Sequence, residues 1–155
     1  PGGGGFRALD TSDIDVDHFI TKDYVTDGGN IVPKEGYPHP RYYGISPGFI
    51  RRYALDRGVV ELPHMIRGMS SLAAQIIGLK NRGLIRQGFY ADINVFNPVT
   101  IRDYSTYMKP HQFSTGFEQV LINGTFVVKD SKRTGELPGE VLIGPHTKTS
   151  PKNKP

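Results

Sequence analysis

Residues Tyr24–Arg41 read Y-V-T-D-G-G-N-I-V-P-K-E-G-Y-P-H-P-R. A short run with β propensity, Tyr24-Val25-Thr26, delivers one carboxylate, Asp27, into a Gly28-Gly29 turn. A loop studded with Pro and Gly then returns His39 and Arg41. A carboxylate at the C-terminal end of a strand, beside a loop that can bend close to a ligand, is where α/β barrels place their chemistry. Asp-Gly is equally the commonest turn dipeptide, so Asp27 taken alone reads as a turn residue. The stretches around it have to decide.

Composition narrows the choice. The 155 residues suffice for one domain with a core, and 8 Phe with 8 Tyr argue against wholesale disorder. The 19 Gly and 12 Pro favour loops and β-turns over a helical bundle. No Cys is present, which excludes disulfides and thiolate zinc sites and fits a reducing, cytoplasmic compartment. The longest apolar runs fall far short of a membrane span, so no membrane partner is expected. Net charge is +4, part of it local, because Lys148, Lys152 and Lys154 lie in a tail without acids. No basic stripe is interleaved with aromatics, so no nucleic-acid partner is expected. The chain begins P-G-G-G-G, with neither Met nor the basic flank and apolar segment of a signal peptide. The expectation is a piece of a longer polypeptide.

Outward from the opening stretch, Thr11 or Ser12 can cap a short helix through Asp13–Ile20. A second helix is expected from about Pro47 to Arg57, with Phe49, Ile50 and Tyr53 on its apolar face and Gly58 at its end. A third starts at Pro63. Met65, Ile66 and Met69 make its core stripe, Ser70-Ser71 interrupt it, and Leu72, Ala73, Ile76 and Ile77 carry the stripe on to Gly78. After Gly83 helical spacing gives way to strand spacing: Gly88 is a turn, and Asp92–Phe96 alternates like a half-buried strand closed by Asn97-Pro98. Tyr104–Gly116 is loop-like. Residues 119–122 and 125–128 flank Asn123-Gly124 and predict a β-hairpin on a type I′ turn. Arg133–Gly139 reads as a loop, Val141–Ile143 as a final short strand, and the residues from Gly144 on as a disordered tail. The seam between an α/β-like first half and a β-rich second half falls near residues 79–88. A strand at Tyr24–Thr26 without a partner in its own half cannot form a sheet alone, which again suggests a fragment.

Three stretches together resemble the C-terminal part of the metal-dependent amidohydrolase superfamily, and most closely its N-acyl-D-amino-acid deacylase (D-aminoacylase) branch. The first is Thr26-Asp27-Gly28-Gly29 with Pro38-His39-Pro40-Arg41. The second runs from I-R-G-M-S-S-L-A-A-Q-I-I-G-L, Ile66–Leu79, into R-G-L-I-R-Q-G-F-Y-A-D-I-N-V-F-N-P, Arg82–Pro98. The third is F-S-T-G-F-E-Q-V-L-I-N-G, Phe113–Gly124, with T-G-E-L-P-G-E-V-L, Thr134–Leu142. The G-x-I-x-x-G-x-x-A-D-x-x-V-F pattern carries the superfamily, and the His-Pro-Arg loop and the Thr-Gly…Pro-Gly ending point to the deacylase branch.

The resemblance implies an α/β fold: the C-terminal end of a (β/α)8 barrel over residues 1–80, then part of a flanking β-sandwich over 81–144, with 145–155 as a tail. It implies one or two divalent metals, usually zinc, at the ends of the barrel strands. Asp27 matches the Asp that takes a proton from the metal-bound water and passes it to the leaving amine, and it is a possible metal ligand too. Arg41 matches the Arg that grips the α-carboxylate of an N-acyl amino acid, a task that suits a bidentate guanidinium. His39 is a second pocket candidate. Asp92 reads as structural, and His64, His111 and His146 as residues without chemical duty. The five His, at 18, 39, 64, 111 and 146, include no pair spaced to bind a metal from one element. The remaining ligands are therefore expected outside this chain, in a missing N-terminal part of the enzyme, and the chain alone is expected to be inactive. Two other readings stand beside the deacylase: a cyclic amidohydrolase of dihydroorotase or hydantoinase type, and a non-catalytic β-rich binding module that adds a partner's strand at an exposed edge.

Overall fold

The computed structural model describes residues 35–142. The expected helix at Asp13–Ile20, the strand at Tyr24–Thr26, Asp27, His18, His146 and the tail lie outside them. Within them, helices occupy the first part and an antiparallel sheet the second.

Helix α1 spans Arg41–Phe49 and passes directly into a wider π-helical segment, Ile50–Asp56. It starts six residues before the Pro47 expected to open it, so Arg41 stands in the first helical turn and not in a loop. Pro40 is the N-cap, with φ −51° and ψ −31°, and its carbonyl accepts the N–H groups of Tyr43 and Gly44 at 3.0 and 3.2 Å. Pro47 sits inside the helix, where it has no N–H to offer the Tyr43 carbonyl. Downstream of that gap the bonding widens: Arg57 N–H reaches the Arg52 carbonyl five residues back at 3.1 Å, and Arg51 pairs with Asp56 at the same spacing, 2.6 Å. Gly58 ends the segment as expected.

Helix α2, Leu62–Met69, carries Pro63 in its first turn. It breaks at Ser70, whose hydroxyl donates to the Ile66 carbonyl at 2.6 Å, and α3 continues over Ser71–Ile76. Met65 is fully buried and Leu72 is buried, as the apolar stripe predicts, whereas Ala74 is buried and the expected Ala73 only half-buried. The stripe stops there. Ile76 and Ile77, at the end of the helix, are 65 % and 59 % exposed.

The sheet has the strand order β1-β2-β3-β4, all antiparallel: β1 Ile93–Phe96, β2 Phe117–Ile122, β3 Thr125–Lys129 and β4 Lys132–Arg133. The β2–β3 hairpin turns on Asn123-Gly124, with φ +50° and +79°, the left-handed pair that a type I′ turn requires. A second tight turn, Asp130-Ser131 (φ +51° and +61°), folds back β4, whose Arg133 the sequence reading places in a loop. Val141 and Leu142 form no strand and are exposed, correcting the short strand expected there.

The core cluster is Ile50, Tyr53, Met65 and Ile101, with Phe96 and Phe117 packed against it. It draws on the π-helical segment, on α2 and on the loop after β1, so the helical part and the sheet share one apolar centre. Arg82 braces the entry to β1 against the β2–β3 turn. It pairs with Asp92, donates to Asn123 Oδ1 at 2.7 Å and lies over the Tyr90 ring at 4.1 Å. Asp92 in turn accepts the Asn123 backbone N–H at 2.9 Å, the structural role expected of it at the entry to β1.

Candidate functional site

The segment Gly36–Tyr43 runs into α1, and residues 103–112 of the loop after β1 lie along it. His39 Nδ1 accepts the backbone N–H of Arg41 at 3.0 Å. A backbone N–H only donates, so Nδ1 is the unprotonated nitrogen. Nε2 of the neutral ring carries the proton and donates it to the Tyr107 hydroxyl at 2.9 Å. The Tyr107 carbonyl accepts the Tyr37 hydroxyl. His111 shows the same tautomer: Nε2 donates to the Gly36 carbonyl at 2.9 Å, and Nδ1 accepts the Tyr43 hydroxyl at 2.9 Å. Both pairs also meet ring to edge, His39–Tyr107 at 5.1 Å and Tyr43–His111 at 5.7 Å between centroids.

Arg41 is exposed, with Cζ 5.7 Å from the centre of the Tyr42 ring. The first turn of α1 contains no acidic residue, so the guanidinium and the helix N-terminus add their positive potentials. Beside it opens a cavity of about 330 Å³ whose lining includes His39, Arg41, Gly44, Gly48, Arg52 and Asp103. Asp103 fills a notch cut by Gly44 and Gly48, one helical turn apart. A Cβ on Gly44 would lie 2.6 Å from Asp103 Cβ, and one on Gly48 would lie 3.1 Å from its Cγ. A larger cavity of about 700 Å³ lies along the sheet, lined by Phe117, Val120, Ile122, Val128 and Leu137 among others. It gathers no His and no cluster of acids, and offers less chemistry than the Arg41 cavity.

The structure thus brings the two described site candidates, His39 and Arg41, together. Tyr107, His111 and Asp103 join them without having stood out as site residues in the sequence. His111, read there as idle, bonds on both sides of Arg41. His64 is half-buried on α2, remote in sequence from this set. Among the described residues no group of three or more His, Asp or Glu is placed to hold a metal ion. All four ring nitrogens of His39 and His111 are engaged in hydrogen bonds, which leaves neither ring a lone pair for a metal. The described residues do not fit a metal centre. They fit an anion.

Residues 36–128 match the sequence profile of the Amidohydrolase family. The chain belongs to the amidohydrolase family. This amidohydrolase chain is 36 % identical over 143 residues to the N-acyl-D-aspartate deacylase of Alcaligenes xylosoxydans xylosoxydans, covering 92 % of the chain and 28 % of that protein. It also resembles the crystal structure of a D-aminoacylase, with TM-score 0.62 and 36 % identity over 64 % of this chain and 21 % of that one. A third relative is the N-acyl-D-glutamate deacylase of Bordetella bronchiseptica, solved with zinc and a phosphonate that mimics the tetrahedral intermediate; the TM-score is 0.58 and the identity 34 %, over 59 % of this chain and 19 % of that one. The chain spans little more than a quarter of the length of the curated relative it matches over 143 residues. Among the described residues of this family member no helix is long and apolar enough to cross a membrane.

Proposed function

We propose that this chain is the C-terminal portion of a zinc-dependent, cytoplasmic deacylase that hydrolyses the amide bond of N-acyl-D-amino acids. The observation that carries the reading is Arg41: an exposed guanidinium in an acid-free first helical turn, its backbone held by His39, at the mouth of a cavity. Every N-acyl amino acid carries an α-carboxylate, and a guanidinium can bind that group bidentately. In this reading residues 1–80 complete a (β/α)8 barrel and 81–144 contribute to a flanking β-sandwich, in keeping with helices followed by an antiparallel sheet. Zinc would be held by ligands in the part of the deacylase length that this chain does not span, and would supply Lewis-acid activation there. Asp27 moves the proton, from the attacking water to the departing amine. Arg41 orients the substrate by its carboxylate, and His39 holds Arg41. The relatives above carry the names N-acyl-D-aspartate deacylase, D-aminoacylase and N-acyl-D-glutamate deacylase, which disfavours the cyclic-amide reading, and family membership disfavours a non-catalytic module.

The test uses this chain alone and an assembled enzyme in which it is joined to the part of a deacylase that it does not span. Zinc content and hydrolysis of N-acetyl-D-amino acids are measured for both. The expected result is a metal-free, inert chain and an assembled enzyme that binds zinc and turns over. Asp27→Asn in that enzyme lowers turnover by about a hundredfold or more with zinc content unchanged. Near-normal turnover would remove Asp27 from the mechanism, and stoichiometric zinc on the chain alone would overturn the assignment of the ligands elsewhere.

A further inference from the structure

Tyr107 and His111 stand 68 to 75 residues from the groups they bond, yet every one of those groups lies within five residues of Arg41. Gly36 and Tyr37 are held on the N-terminal side, His39 two residues before Arg41, and Tyr43 two residues after it. The backbone between these anchors has few free torsions. Pro38 and Pro40 each fix one φ, and the Arg41 N–H is already tied to His39. Tyr107 itself is 40 % exposed and His111 lies outside the core cluster. Their hydroxyl and ring nitrogens therefore add little apolar burial and are spent on the Arg41 segment. The same loop sets Asp103 into the notch of Gly44 and Gly48, which seats the next two turns of α1.

We propose that residues 103–112 form a strap, with Tyr107 and His111 as positioning residues that hold the Gly36–Tyr43 segment so that the Arg41 guanidinium meets a substrate carboxylate. The inference rests on the deacylase reading above and adds to it residues that touch no substrate. The Tyr107–His39 contact is one neutral hydrogen bond among several that hold the segment. Loss of the Tyr107–His39 bond accordingly loosens Arg41 without removing it, and the effect falls on substrate affinity.

The experiment measures kcat and KM of the assembled enzyme on an N-acetyl-D-amino acid and on its carboxamide, in which the α-carboxylate is replaced. Tyr107→Phe keeps the ring and removes the hydroxyl. It is expected to raise KM about fivefold for the acid, with kcat within about twofold and the carboxamide unaffected. His111→Leu behaves likewise, whereas His111→Gln, whose amide nitrogen can still donate to Gly36, restores KM to within about twofold. Arg41→Ala raises KM for the acid about a hundredfold, and adding Tyr107→Phe to it changes nothing further, because the group being positioned is gone. If Arg41→Ala has its effect but Tyr107→Phe and His111→Leu have none, the strap is overturned and the carboxylate reading survives. If Arg41→Ala leaves KM unchanged, both fall. If Tyr107→Phe and His111→Leu harm acid and carboxamide alike, or add to Arg41→Ala, their role is general folding and the strap is overturned.

Discussion

The sheet and the Arg41 segment are held in shape by opposite means. In the sheet, each strand pairs with its sequence neighbour, and two tight turns with left-handed residues set the β2–β3 and β3–β4 pairings. None of its residues is fully buried. In the Arg41 segment, local preference is poor: Gly44, Pro47 and Gly48 all weaken α1, and shape comes from a loop about 70 residues away. Local turn chemistry builds a scaffold that tolerates exposure. A binding residue that must sit at one place is fixed instead by contacts from a different part of the chain, each replaceable without dismantling the fold.

That contrast can be broken most sharply where the two regions join. Gly116 lies at the entry to β2 with φ +88°, and a Cβ there would stand 2.3 Å from Ile101 Cα and 2.4 Å from its N. Both atoms are backbone, so nothing can rotate away. Gly116→Ala is expected to destabilise by about 3 kcal/mol or more, read from thermal or urea unfolding. A loss below about 1 kcal/mol would mean that the sheet and the core are not locked at this point.

Gly44→Ala strikes the long-range side alone. The new methyl meets Asp103 Cβ at 2.6 Å, and the expected cost is about 1–3 kcal/mol. Asp103→Gly in the same molecule removes the obstructing carbon and recovers most of the loss, because the conflict belongs to one pair. Additive losses in the double variant would show that Asp103 is held by something other than the notch.

Gly124→Ala tests the local side and carries the smallest effect. Nothing lies within 4 Å of its Cβ position, so only the strain of a left-handed alanine remains, about 1 kcal/mol. Activity of the assembled enzyme should be unchanged. A larger loss, or one in activity, would tie this turn to the site and blur the distinction between the regions.

Much of the described fold was legible in residue order. The Asn123-Gly124 hairpin, the Gly88 turn, the break at Ser70 and the burial of Met65 follow from turn chemistry and periodicity within a few residues. So does the family, because the Gly83–Phe96 pattern is contiguous. The departures have different origins. The start of α1 at Arg41 runs against a Pro and two Gly that local propensity penalises, and contacts from a distant loop outweigh that preference. Ile76 and Ile77 keep the spacing of an apolar stripe but are exposed. The Asp130-Ser131 turn has no Gly to advertise it.

By itself, then, the sequence determined which segments turn, which pair with their neighbours, to which family the chain belongs, and that Arg41 and His39 stand two residues apart. Only the tertiary structure decided that the His39 ring is turned onto the Arg41 N–H, that Tyr107 and His111 bind the same segment, and that Asp103 seats in α1. The reason is physical. Turn and strand preferences act between atoms a few residues apart and leave a mark in the order of residues. A hydrogen bond across 68 residues depends on the path of all the chain between, and marks neither of its ends.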